Sequence, residues 1–170
     1  MIQINQNIIE KLKSSIPLFS DFTDDELLAF LKLMKSEKFE DGQEIFPEHG
    51  TGDKMFILIQ GQVQISKSLG KKDGIRQNAI LATLQPGECF GEMVLIDRRV
   101  RSAGAISNGE SFLFSINYKT LETVAASPKY ATLSVKLYRS FSKMLAKRLR
   151  ELNDKYVDLS FKIGRKDSGN

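Results

Sequence analysis

The stretch from Pro86 to Ala103 holds the side chains best suited to chemistry. Within it, Gly91-Glu92-Met93-Val94-Leu95-Ile96 has a strongly apolar second half and predicts one or two helical turns. Arg101-Ser102-Ala103 then stands just ahead of an extended segment. The start of a helix leaves backbone N–H groups unpaired and carries a partial positive charge. Such a start suits an anion, most often a phosphate. Arg101 adds a planar fork that matches phosphate oxygens, and Ser102 adds a hydroxyl. Glu92 at the same turn is an acceptor-only carboxylate, suited to a sugar hydroxyl. An anion grip beside a hydroxyl acceptor describes recognition of a nucleotide.

The elements that must hold these groups follow from the pattern on either side. Ile4, Ile8, Ile9 and Leu12 have helical spacing, and Ile16-Pro17-Leu18-Phe19 breaks that helix. Ser20 or Thr23 is placed to cap a second helix through about residue 35, with Glu26 in the capping-box position relative to Thr23. From Glu37 to Ile116 short extended runs alternate with turn signals such as Asp41-Gly42, Pro86-Gly87 and Asn108-Gly109. A polar loop, Gly70 to Gly74, separates two of these runs. Many short strands with regular turns predict an antiparallel roll, barrel or sandwich. Helix returns after Asn117, and no Gly or Pro interrupts Lys129 to Phe161. The fold class is therefore α+β: an antiparallel, jelly-roll-like β-roll flanked by N-terminal helices and a long C-terminal helix. The expected divisions are a helical segment at 1–36, the roll at 37–116, helices at 117–163 and a disordered tail at 164–170.

Composition narrows the function classes. The 170 residues are 41% hydrophobic and 27% charged, enough for a compact core. The longest apolar runs, such as Met55 to Ile59, are far short of the roughly 20 residues of a membrane span. The N-terminus has no basic region leading into an apolar stretch, and the lone Cys89 has no internal disulfide partner. Both point to a reducing, cytoplasmic setting. One histidine and one cysteine are too few soft ligands for zinc, so no metal is expected. Cys89 reads as packing and His49 as an exposed loop residue, with no catalytic triad and no P-loop, so no enzyme is expected. The net charge of +4 is uneven. Residues 128–170 hold 11 Lys/Arg against 4 Asp/Glu, so the basic character lies in the C-terminal segment. Arg98 and Arg99 read as solvated charges that raise the local positive potential.

Phe90-Gly91-Glu92-Met93-Val94-Leu95-Ile96, followed by Val100-Arg101-Ser102-Ala103, resembles the phosphate-binding cassette of the cyclic nucleotide-binding domain family. That pattern runs Phe-Gly-Glu-x-x-Leu, a short gap, then Pro-Arg-x-Ala, and the spacing from Gly91 to Arg101 agrees without insertion. Ile16-Pro17-Leu18-Phe19 is similar to the family's helical entry. Gly42 to Phe46, Gly52-Asp53-Lys54-Met55-Phe56-Ile57-Leu58 and Gly61-Gln62-Val63 are similar to its first strands. One departure is Val100, which stands where the family has proline and leaves the loop less pre-set. The resemblance implies a 3′,5′-cyclic nucleotide bound by Gly91, Glu92, Met93, Val94, Arg101, Ser102 and Ala103. Glu92 would accept from the ribose 2′-OH, and Arg101 would pair with the cyclic phosphate. Ser102 is compatible with adenine and does not exclude guanine; cAMP is favoured over cGMP. The helix that follows the roll commonly closes over the base in this family, and Lys136 to Phe141 are in range.

Leu145, Leu149, Leu152, Tyr156 and Leu159 are spaced 4, 3, 4, 3 and form a short a/d seam. The expected partners are thus the nucleotide, a second copy of the chain through this helix, and a protein effector. The helix-turn-helix output found in bacterial members needs some 50 further residues, so none is expected in this sequence. The alternative class is the same roll with a degenerate, empty pocket that works as an interaction module. Retention of Glu92 and Arg101 speaks against that alternative.

Overall fold

The computed structural model describes residues 6–72, 74–97 and 100–167; Arg98 and Arg99 lie outside these. The chain opens with helix α1 (Gln6–Ser15), a 3-10 turn at Pro17–Phe19 and helix α2 (Asp24–Leu31). Proline at the first position of the 3-10 turn costs no hydrogen bond, because that N–H would have no partner there. Of the two capping candidates, Thr23 is the one used. Its hydroxyl accepts from the Glu26 N–H at 3.2 Å, and the Glu26 carboxylate accepts from the Thr23 N–H at 2.7 Å. Ser20 instead donates to the Pro17 carbonyl.

Two four-stranded antiparallel sheets follow. Strands β1 (Lys35–Phe39), β8 (Ser111–Asn117), β3 (Lys54–Gln60) and β6 (Cys89–Phe90) form one, in that order. Strands β2 (Glu44–Phe46), β7 (Gly104–Ser107), β4 (Val63–Lys72) and β5 (Ile75–Leu84) form the other. The expected β-roll with flanking helices is what the chain forms. Helix α3 (Met93–Asp97) sits between β6 and β7. Helices α4 (Tyr118–Ala126, capped by the Asn117 side chain) and α5 (Ala131–Asp167) close the chain.

Strand β3 explains the apolar run Met55 to Ile59. Its residues alternate between two cores, so both of its faces are buried. Phe56 and Leu58 point into the roll with Phe39, Val63, Leu84, Phe90, Ala105 and Leu113. Met55 and Ile57 face a helical core with Phe19, Leu27, Phe30, Leu121, Leu133, Leu137 and Phe141.

Two local expectations change. The polar residues around Gly70 form the end of a β-hairpin, with Gly70 paired to Gln77, Lys71 to Arg76 and Lys72 to Ile75. A hairpin without a buried face has no apolar alternation to read. The tail expected to be disordered from 164 is helical through Asp167, while residues 168–170 lie outside the described set. One glycine costs a helix only about 1 kcal/mol, so Gly164 does not end it.

Thr23→Ala should lower stability to chemical denaturation by about 1 kcal/mol. Ser20→Ala should leave it within ~0.5 kcal/mol.

Candidate nucleotide-binding site

Three segments meet at Arg101. The loop after β2 holds its backbone: the His49 N–H donates to the Arg101 carbonyl at 2.9 Å, and the Arg101 N–H donates to the Gly50 carbonyl at 3.0 Å. The guanidinium turns inward and is 5% exposed as a residue. Its Nη1 donates to the Gly91 carbonyl at 3.0 Å and its Nη2 to the Lys54 carbonyl at 2.7 Å. The Phe46 ring lies 4.0 Å from its Cζ. Nε is buried without a partner, and among the described residues no carboxylate stands within ion-pair distance. Burial pulls the Arg101 pKa below its ordinary value, partly offset by Asp53 and Glu92 at longer range. This is a buried cation with a spare donor and no carboxylate in direct contact among the described residues, so it fits an anionic ligand.

Glu92 is equally buried. Its Oε1 accepts from Arg148 Nη1 at 2.6 Å, and Arg148 Nη2 donates to the Cys89 carbonyl. Gly91, Glu92, Met93, Val94, Arg101, Ser102 and Ala103 all line one cavity of about 310 Å³. That volume is at the lower end of small-molecule sites, roughly 300–1,000 Å³. All seven residues singled out in the sequence are thereby brought together. Gly91 has φ +71°, which favours glycine, and a Cβ there would stand 2.6 Å from Arg101 Nη1. Val94 is buried in the helical core, whereas Met93 and Ser102 are exposed. Helix α3 is only five residues long, so its end charge is slight, and the buried positive charge beside it is that of Arg101.

One expectation is corrected. Lys136 to Phe141 do not reach the cavity. Leu137 and Phe141 are buried in the helical core, and Lys136 bonds Glu26 at 2.6 Å. The α5 residues at the cavity are Arg148, Glu151, Leu152 and Lys155, two turns further on. A signal for this was present. Leu133, Leu137, Phe141, Met144 and Arg148 are spaced 4, 4, 3, 4 along one face. The charged last member marks where that face leaves the core and meets the pocket.

The match to known proteins agrees with this geometry. Residues 36–127 match the model of the cyclic nucleotide-binding domain, and the chain belongs to that family. It is 34% identical over 93 residues to human cGMP-dependent protein kinase 2, covering 55% of this chain and 12% of the kinase. It is 28% identical over 154 residues to the CRP-like cAMP-activated global transcriptional regulator of Mycobacterium tuberculosis, covering 90% of this chain and 64% of the regulator. The crystal structure of the Thermus thermophilus catabolite activator protein superposes with a TM-score of 0.72 at 27% identity, over 85% of this chain and 63% of that one. The chain thus spans less than two thirds of each of these proteins. Among the described residues no helix is long and apolar enough to cross a membrane, and no cluster of His, Cys, Asp and Glu could hold a metal ion.

Cys89 is buried behind Glu92, and its pKa is pushed up to about 12 from 9.0, mainly by burial. The thiol form is therefore favoured by folding, and its contribution to stability fades as pH rises from 9 toward 12. A thiol reagent at pH 8 should leave Cys89 unmodified in the native protein and label it fully after denaturation.

Proposed function

We propose that the domain is a receptor for a 3′,5′-cyclic nucleotide, with cAMP favoured, and that it signals through α5. The observation that carries this reading is that one cavity is lined both by Arg101, a buried cation with no carboxylate in direct contact among the described residues, and by the buried carboxylate of Glu92. Arg101 takes the cyclic phosphate, with Ser102 and Ala103 alongside. Glu92 takes the ribose 2′-OH through the oxygen that Arg148 leaves open. Glu151, Leu152 and Lys155 face the remaining volume, where the base would lie. The Glu151 carboxylate there suits an exocyclic amino group, which adenine and guanine both carry. The preference for cAMP rests on Ser102 and on the regulator that covers 90% of this chain, whose name records activation by cAMP. The kinase, named for cGMP dependence, keeps the alternative base open.

Signalling through α5 is supported by how unevenly that helix is held. Leu133, Leu137 and Phe141 are buried, while Leu149, Leu152, Tyr156 and Leu159 are largely exposed. Cavities of about 310 and 330 Å³ flank Arg148, so an ion pair holds the helix there, with little packing. The exposed seam is the surface for a second copy of the chain, and the basic helix is the surface for an effector. The competing reading, a roll whose pocket takes no ligand, is favoured by one feature: Arg148 already occupies Glu92.

Calorimetry with cAMP, cGMP, AMP and 2′-deoxy-cAMP separates the two readings. Arg101→Ala should weaken binding by roughly 30-fold to several-thousand-fold while the domain stays folded. Glu92→Ala should weaken binding and erase discrimination against the deoxy ligand. Absence of binding by the unaltered chain favours the empty roll. Hydrogen exchange over residues 130–160 should change on adding ligand, and no change at saturation would remove the switch.

A further inference from the structure

We propose that Phe46 and Gly52 are positioning residues that set the Arg101 guanidinium for its ligand, an inference that rests on reading Arg101 as the phosphate-binding group. Phe46 ends β2 and lines the cavity. Its ring is braced by Phe56 and Phe90, each 5.9 Å away between centroids, and Phe56 and Phe90 stack at 5.3 Å. This aromatic block presents the Phe46 ring to the guanidinium at 4.0 Å. Gly52 closes the slot. A Cβ at that position would stand 2.6 Å from Nη2, 2.7 Å from Nε and 2.9 Å from Cζ of Arg101. The guanidinium thus fills the space that the missing side chain leaves.

The two contacts act without consuming hydrogen bonds. Carbonyl partners use up N–H donors, and Arg101 already spends two on Gly91 and Lys54. An aromatic ring stabilises a cation through its π-face, so the remaining N–H groups stay available for phosphate oxygens. A long, rotamer-rich side chain held in this way also loses less freedom when the ligand arrives. The backbone at Gly52 lies outside the left-handed region, unlike that at Gly91. Alanine at 52 therefore needs no left-handed backbone, and the three atoms its Cβ would meet first all belong to Arg101.

The test uses the full chain, with cAMP and cGMP as calorimetric probes. Phe46→Leu keeps an apolar side chain and removes the π-face; it should weaken binding by about threefold to thirtyfold. Phe46→Tyr restores the ring and should bind within about twofold of the unaltered chain. Gly52→Ala should weaken binding by at least about tenfold, because it displaces a charge-paired group, with the unfolding midpoint little changed. Side-chain NMR of the ligand-free protein gives a readout independent of binding. The Arg101 Nε–H resonance should show a ring-current shift that Phe46→Leu abolishes and Phe46→Tyr retains. Loss of binding in Arg101→Ala together with unaltered binding in Phe46→Leu and Gly52→Ala would overturn the positioning role and leave the phosphate role standing. Equal binding by Arg101→Ala and the unaltered chain would overturn both, even if the ring-current shift were present. Equal weakening by Leu and Tyr at 46 would reduce Phe46 to a packing residue and overturn its assignment. Should Phe46→Leu fail to fold, Gly52→Ala and the NMR of Phe46→Tyr decide the matter.

Discussion

A positive charge buried without a negative partner is the constraint around which this domain is built. Removing a guanidinium from water is costly unless dipoles or counter-charges replace the lost hydration. Around Arg101 the replacement comes from three places: the Lys54 carbonyl at the start of β3, the Gly91 carbonyl in the cassette, and the Phe46 ring of β2. None of these is an anion. The arginine is tolerated without an ion-pair partner, and its Nε has no hydrogen-bond partner among the described residues. That residual deficit is what a phosphate can correct, and it ties ligand affinity to correct assembly of all three segments.

The two cores divide the labour. The core inside the roll holds Phe56 and Phe90, which brace the slot around the guanidinium. The helical core holds the near half of α5 through Leu133, Leu137 and Phe141, so that half is anchored as firmly as any strand. Beyond Phe141 the same helix continues with mostly exposed side chains, and among the described residues its hydrogen bonds to the cassette region are those of Arg148. One helix therefore has a fixed end and a loosely held end, and the loosely held end lies against the cavity. Under the receptor reading, a change at Glu92 reaches that end through a single guanidinium. By linkage, if a ligand favours one arrangement of that end by some factor, holding the helix in that arrangement raises ligand affinity by the same factor.

The fold was legible because its signals are local. Turn pairs, the Thr23–Glu26 box and Pro17 each fix the chain within a few residues of themselves. The seven candidate residues form a compact motif in the sequence, and the structure places all of them on the lining of one cavity. What sequence reading missed is non-local. Arg148 lies 56 residues from Glu92, and which stretch of a 37-residue helix meets the pocket depends on where its packed face runs out. The roles of Phe46 and Gly52 were invisible for a related reason. A strand phenylalanine and a loop glycine are ordinary until a guanidinium is seen against both.

The charge around the cavity restricts what kind of anion can enter. Among the described lining residues, Arg101, Arg148 and Lys155 are opposed by Glu88, Glu92, Asp97 and Glu151. The pocket is thus no general sink for negative charge, and attraction is concentrated at the Arg101 guanidinium. A cyclic phosphodiester brings a single negative charge, which that guanidinium can match. A phosphomonoester brings about 1.5 to 2 charges near neutral pH, and the excess would face the surrounding carboxylates. Under the receptor reading, the charges of the described lining residues favour the cyclic ester over the open nucleotide even though both carry the same base and sugar. A monoester would also bring a third free phosphate oxygen, which needs a partner of its own in a cavity of about 310 Å³.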